Sequence, residues 1–229
     1  MKLIFVGHRW ALPRMIQSAK HMGYDVMGIL DKHLNEKTYK GIPVLGSEDE
    51  LTTSTKYHDC AFHVANHWDG SDTGARIHRY EKIKLLEDLK LNVVHLIHPT
   101  ATTCDDYVIG RGAYIDDKVH ISNDCVIGPY STVATGSIIG HDTVTYFNSQ
   151  IGPVVMTTLC DIGHNSSIGA YSRIMHWKNR LYRHKRLIIG SNTRIFTDIN
   201  MMMSVPDNHD QLTNDKILPT REEPLNELC

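Results

Sequence analysis

The 229-residue chain sets 24 Lys+Arg against 26 Asp+Glu, a formal charge of −2, with 41% hydrophobic and 22% charged residues. That balance gives no electrostatic basis for binding nucleic acid, and the mixture is too apolar and aromatic for a disordered chain. No apolar run approaches the roughly 18 residues of a membrane helix, and the opening MKLIFVGHRW has too short an apolar stretch and no small-residue cleavage site for a signal peptide. The five scattered cysteines (Cys60, Cys104, Cys125, Cys160, Cys229) include no CxxC, so neither a disulfide framework nor a zinc ribbon is suggested and a cytoplasmic location is expected. The unusual count is 15 histidines.

The first 96 residues alternate strands and helices. KLIFV (2–6) is a short apolar strand ending in Gly7, and residues 12–22 place Leu12, Met15, Ile16, Ala19 and Met22 at helical spacing. Pro13 sits in the first turn and Gly23 just past the end, as helix punctuation expects. A strand YDVMGIL stops at Asp31; then come an apolar IPVL, an acidic helix start at SEDEL, and a strand in DCAFHVA. A helix over about 73–91 turns Ile77, Tyr80, Ile83, Leu86 and Leu89 to one side before the strand NVVHL. This alternation predicts a small parallel sheet covered by helices, with any ligand at the carboxyl ends of the strands, where Gly7 and Asp31 lie.

Residues 97–206 carry a six-residue period. From Ile97 the register lands on Thr103, Ile109, Ile115, Ile121, Ile127, Val133 and Ile139, runs through Thr145 and Ile151, loses one residue, and resumes at Ile162, Ile168 and Ile174, then at Ile189 and Ile195. Four residues on in each hexad sit Ala113, Val119, Cys125, Ser131 and Ser137, while Gly110, Gly128 and Gly140 follow their aliphatic directly. Such a repeat predicts a parallel β-helix of three hexads per coil, the aliphatic pointing inward and the small residue turning the corner. A solenoid needs its ends covered, which assigns the α/β unit to one end and a C-terminal tail, 207–229, to the other. The stretch 175–188, MHWKNRLYRHKRLI, is an out-of-phase insertion carrying Lys178, Arg180, Arg183, Lys185 and Arg186. It reads either as a solvated loop or trimer contact, or as a basic arm near the phosphates of a cofactor or nucleotide.

Within the coils, SIIGHDTV puts His141 two positions after the inward Ile139, at a corner where its side chain points out, and Asp142 follows. An imidazole beside a carboxylate suits a general base, because it titrates near neutral pH and the carboxylate can orient it and stabilise the imidazolium.

The [Ile/Val]-Gly-x-x-small-x pattern resembles the left-handed β-helix of the hexapeptide-repeat acyltransferases. An α/β domain containing GIPVLG, a junction IHPTA (97–101) and a coil with I-x-His-acid together are similar to the sialic-acid and bacillosamine pathway (NeuD/PglD-like) nucleotide-sugar acetyltransferases, over roughly residues 1–174 and 189–201. The resemblance implies a Rossmann-like first domain and acetyl-CoA as acyl donor. It implies as acceptor an amino sugar on a nucleoside diphosphate, with His141 as base and Asp142 supporting it. It further implies substrate contacts from Gly7, His8, Arg9 and Asp31, cofactor contacts from Gly163, Gly169, Lys178 and Arg180, no metal, and a homotrimer with active sites between subunits. Three departures stand out: GHRWALPRM replaces the usual glycine-rich GxGGHG turn, a GVPAK-like ending is lacking, and Ala134 and Gln150 occupy places where the bacillosamine enzymes have Asn and His.

Two metal readings compete. The γ-class carbonic anhydrases use three histidines on the same solenoid with a His-x4-His pair, which His98, His120, His141, His164 and His176 do not form. The cluster His58, Cys60, His63 and His67 has ligand-like residues, but strand alternation sends His63 to the face opposite Cys60. A non-catalytic nucleotide-sugar binding module, or an O-acetyltransferase, would use the same scaffold.

Overall fold

The computed structural model describes residues 1–65, 73–175, 186–196 and 205–209. Contacts divide the chain into two compact units, Met1–Pro99 and Thr100–Cys229.

In the first unit, β1 (Lys2–Val6), α1 (Leu12–His21), β2 (Asp25–Leu30), β3 (Thr38–Tyr39), β4 (Ile42–Gly46), β5 (Ala61–Val64), α2 (Thr73–Asp88) and β6 (Asn92–Val93) follow in order. The sheet runs β3-β4-β2-β1-β5-β6, parallel throughout except for the short β3 edge. Its central β1 is flanked on both sides, so Leu3, Ile4, Phe5 and Val6 are all fully buried and the strand reads as an unbroken apolar run. The chain leaves β1 toward β2 and β4 and later returns to β5 on the other side. That reversal falls at the carboxyl ends of these strands, where parallel sheets commonly bind ligands and where Gly7 (φ 86) begins the turn into α1. The expected acidic helix start at SEDEL is a 3-10 turn, Glu48–Thr52, closed by a capping box between Ser47 and Glu50.

Two expectations need correcting here. NVVHL is not one strand: β6 ends at Val93 because the Val94 carbonyl turns to accept from the His63 ring, and a separate β7 follows at Leu96–Ile97. The apolar face assigned to α2 is also rotated. Ile83 and Leu86 are fully buried, but Ile77 is 41% exposed, and Arg76, Arg79 and Lys82 are buried instead. Polar partners set this face: Lys82 pairs with buried Glu48, and Arg79 donates to the Val64 carbonyl at 3.2 Å.

The second unit is a parallel β-helix whose three sheets and hexapeptide period fit the left-handed form. Strand partners stand one coil apart, Tyr114 beside Thr132 beside Gln150, then Ser167 beside Arg194 across the insertion. The inward positions Ile115, Ile121, Ile127, Val133 and Ile139 are all fully buried.

Corners differ from the sequence reading. The small residue does not turn the chain; the residue before it does, with positive φ, as at Asp124 (56°), Tyr130 (57°) and Asp142 (58°). The small residue points inward, and where it is a serine its hydroxyl serves the backbone. Ser131 Oγ donates to the Tyr146 carbonyl (2.6 Å) and accepts from the Ser149 N–H (3.1 Å), and Ser137 repeats this with Gly152 and Val155. These bonds satisfy polar backbone groups buried between coils. The glycine after each aliphatic is required by coil spacing, since a Cβ on Gly140 would lie 2.5 Å from the Thr157 carbonyl oxygen.

Candidate active site

His141 and Asp142 form one corner of the β-helix, between the strands Ile138–Ile139 and Val144–Thr145. His141 Nδ1 lies 2.7 Å from Asp142 Oδ2, and the two side chains are 44% and 42% exposed. With the carboxylate accepting from Nδ1–H, the Nε2 lone pair is directed outward, as a proton acceptor requires.

The missing residue of the repeat falls directly over this corner. Ile138 and Ile139 pair with Met156 and Thr157 of the next coil, but there the left-handed residue is Leu159 (φ 52), two positions after Thr157, where Asp142 comes three after Ile139. The coil above therefore has no residue at the His141 position. The shortened turn still ties down, through Leu159 N–H to the His141 carbonyl at 3.1 Å.

Arg186 was missed as a site residue. It was read as part of a basic run, yet its guanidinium donates to both carboxylate oxygens of Asp161 at 2.6 to 2.9 Å and, through Nη2, to the Asp142 carbonyl at 2.5 Å. Strands at Arg173–Met175 and Leu187–Ile189 bound the insertion more tightly than 175–188. Lys178 and Arg180, assigned to the cofactor, lie outside the described residues, as does His67.

Gly163 and Gly169 are not brought to the His141 corner. Gly163 lies at the next corner, in an open pocket of about 250 Å³ with Tyr146, Asp161, His164 and Ser191. Gly169 lies at the third, where its Cα faces Phe196 and Ile195. In both a Cβ would come within 2.6 Å of the coil above, so close packing accounts for the glycine. Gln150 and Ala134 are buried on the third sheet and at its corner.

In the α/β unit, the structure brings Gly7, His8 and Asp31 together at the ends of β1 and β2. Gly7 N–H donates to the Leu30 carbonyl at 2.9 Å, and His8 Nδ1 lies 2.7 Å from Asp31 Oδ2. Asp31 is 3% exposed and His8 30%. Burial pushes the Asp31 carboxyl up, but the His33 N–H on its other oxygen, the His8 ring and the nearby Lys82 charge outweigh it, holding the group below its usual range. Both Asp31 oxygens are thus taken, and the half-buried His8 and Arg9 are the side chains facing outward. Among the histidines read as ligand-like, His58 Nε2 meets the Leu51 carbonyl and His63 Nδ1 the Val94 carbonyl.

Residues 106–141 match the family model of the bacterial transferase hexapeptide (six repeats). The match lies within the β-helix of the second unit. A comparison with curated protein sequences gives no significant match. Among solved structures, the chain is similar to a variant of perosamine N-acetyltransferase from Caulobacter crescentus, one histidine replaced by asparagine, in complex with CoA and GDP-perosamine (TM-score 0.77, 20% identity, 92% of each chain). It is also similar to the acetyltransferase domain of PglB from Neisseria gonorrhoeae in complex with acetyl coenzyme A (TM-score 0.75, 21% identity, 91% of this chain and 94% of that one). A third likeness is to WeeI from Acinetobacter baumannii (TM-score 0.74, 19% identity, 92% and 96%). These likenesses cover residues of both units, and at about one-fifth identity they show a shared fold. No described helix is long and apolar enough to cross a membrane.

Proposed function

We propose that the protein is an acetyl-CoA-dependent N-acetyltransferase acting on a nucleotide-linked amino deoxysugar, with His141 as general base. The observation that carries this reading is the half-exposed His141 imidazole, its Nδ1 on Asp142 and its Nε2 free to face a ligand beneath a turn one residue short. The fold's likeness to enzymes held with CoA and GDP-perosamine, one of them with a histidine replaced, supports the choice of substrates.

An amine is a nucleophile only when unprotonated. His141 takes a proton from the sugar nitrogen as it attacks the thioester carbonyl, and the Asp142 carboxylate stabilises the resulting imidazolium. The imidazolium then gives that proton to the departing thiolate, so the dyad returns to its starting state and no acyl-enzyme forms. The nucleoside diphosphate lies in the Rossmann-like unit at the carboxyl ends of β1 and β2, where His8 and Arg9 replace the glycine loop as phosphate donors and Asp31 acts through His8. Gly163 and the pocket beside Asp161 border the donor's path, and Gly169, Lys178 and Arg180 are its further proposed contacts.

The enzyme is a cytoplasmic homotrimer. One sheet face beside the His141 edge carries outward Val108, Val126 and Val144 on successive coils, Val108 59% exposed, followed by Asp161 and the 51% exposed Ile188, a mostly apolar row suited to packing against a neighbouring β-helix. A stable monomer by sedimentation would count against this assembly.

The test is thiol release from acetyl-CoA with UDP-, dTDP- and GDP-linked 3-amino and 4-amino deoxysugars. One of these turns over, and His141→Ala lowers kcat by about 10²–10⁴-fold while the protein stays folded. Full activity in that variant sinks the mechanism; binding without turnover across the panel makes the protein a nucleotide-sugar binding module; turnover only of hydroxyl acceptors makes it an O-acetyltransferase.

A further inference from the structure

The His141 corner is held by a long ladder bond. At the corners, the N–H of the left-handed residue donates to the coil below: Asp124 to Asp106 and Tyr130 to Arg111 at 2.9 Å, Asn148 to Pro129 at 2.8 Å, Leu159 to His141 at 3.1 Å. Asp142 reaches the Asn123 carbonyl only at 3.3 Å. It is also a non-glycine residue at φ 58, a conformation that costs about 1 kcal/mol, and the coil above it is one residue short. That long bond is made by the N–H of the His141–Asp142 peptide, and a rotation of the Asp142 backbone would carry its carboxylate off His141.

Arg186 holds the peptide on the other side of Asp142, through its carbonyl. Arg186 Nη2 sits 2.5 Å from the Asp142 carbonyl and 3.3 Å from that of Cys160, while Nε and Nη2 together grip Asp161. The fork geometry fixes the guanidinium plane, so its bond to Asp142 has a set direction. Arg186 is thereby committed to three partners, one carboxylate and two carbonyls, which argues against the phosphate-binding role its place in a basic run suggested.

We propose that Arg186, held by Asp161, is a positioning residue for the His141–Asp142 pair, clamping the Asp142 peptide so that its carboxylate stays on Nδ1 of the base. This rests on the reading of His141 as general base.

The test compares the full-length protein with Arg186→Ala, Arg186→Lys and Asp161→Asn, with His141→Ala as reference. Arg186→Ala is expected to lower kcat about tenfold with both KM values within twofold of wild type, and to move the acid limb of the pH–rate profile to lower pH, because the base loses its carboxylate. Asp161→Asn gives a smaller loss of the same kind, and Arg186→Lys, which keeps one donor, recovers part of kcat. In the His141→Ala background, adding Arg186→Ala changes nothing further. A rise in KM for acetyl-CoA with kcat intact overturns the proposal in favour of phosphate binding, as does a multiplicative loss on top of His141→Ala. An equal fall in kcat for all three variants, with melting temperature falling in step and the pH profile unmoved, overturns it in favour of a purely structural clamp. Full activity of His141→Ala would instead remove the general base itself, a result visible before any Arg186 variant is read.

Discussion

Each unit of the chain contains a histidine–aspartate pair with the same 2.7 Å bond from Nδ1 to a carboxylate oxygen, and the two pairs are built in opposite ways. In the β-helix, His141 and Asp142 are adjacent in sequence and both over two-fifths exposed. In the α/β unit, His8 and Asp31 come from the ends of two neighbouring strands, and Asp31 is 3% exposed. A buried carboxylate carries a desolvation cost and is retained only where donors and cations surround it, as His33, His8 and Lys82 do here. An exposed pair is screened and worth about 0–1 kcal/mol, so it orients more than it stabilises. Under the proposed function the difference divides the work: a base that gains and loses a proton in each turnover belongs where water can solvate both states, while a fixed ligand-binding charge belongs on a rigid buried anchor.

The comparison breaks most readily on the acid side. His63, in β5 of the α/β unit, is fully buried, and burial above all, with Arg79 and His95 nearby, lowers its pKa from 6.5 to about 4 despite its bond to Val94. The unfolded chain takes up this proton near pH 6.5 and the folded protein only near 4. Between those values unfolding binds a proton, so stability is full above 6.5 and falls as pH drops, by about 3 kcal/mol at the lower end. In the β-helix, burial also lowers the His164 pKa, but that ring is only part-buried, and corners such as those of Ser131 and Ser137 are held by hydroxyls that do not titrate in this range. Melting curves from pH 7 to 4.5 should show the α/β unit failing first, and His63→Asn, which keeps a donor toward Val94, should flatten the dependence. A β-helix transition that moves equally with pH would refute the contrast.

Next in size is the exchange of carboxylate for amide in each pair. Asp142→Asn keeps a residue that tolerates positive φ, so the corner should hold while kcat drops about tenfold, or 1.4 kcal/mol of activation free energy. Asp31→Asn should leave kcat alone, cost about 1–2 kcal/mol in melting stability as a buried network loses its anion, and raise KM for the nucleotide sugar. If Asp31→Asn lowered kcat at constant KM, the division of work between the pairs would be wrong.

How much of this was legible follows from how far apart the determining residues are. The β-helix shows in the sequence because one rule, aliphatic inward every sixth position, repeats along the chain, and the His141–Asp142 pair shows because both partners sit within one hexad. What turns the corner did not show: beside Asp124 and Asp142, which suit positive φ, the same place is taken by Lys118, Tyr130, Val154 and Leu159, which share no side-chain chemistry. The face of α2 was misread because Lys82 is drawn inward by Glu48, 34 positions away. Arg186 was hidden for the same reason, its partners Asp161 and Asp142 standing 25 and 44 positions back. In a list of residues it is one cation among five, and only the coil geometry separates it from the rest.

The smallest expected effect tests the anchor's purpose. If Asp31 exists to hold His8 toward the diphosphate, replacing the ring by a neutral side chain of similar reach should weaken ground-state binding and nothing else. His8→Gln should raise KM for the nucleotide sugar about threefold, roughly 0.7 kcal/mol, with kcat and the KM for acetyl-CoA unchanged, and Arg9→Ala should do the same. Calorimetric titration of the free nucleoside diphosphate should weaken by the same factor, because the lost contact is to phosphate and the sugar plays no part in it. Unchanged diphosphate affinity in both variants would move the phosphates away from the ends of β1 and β2, and would leave the His8–Asp31 pair as a structural brace between two strands.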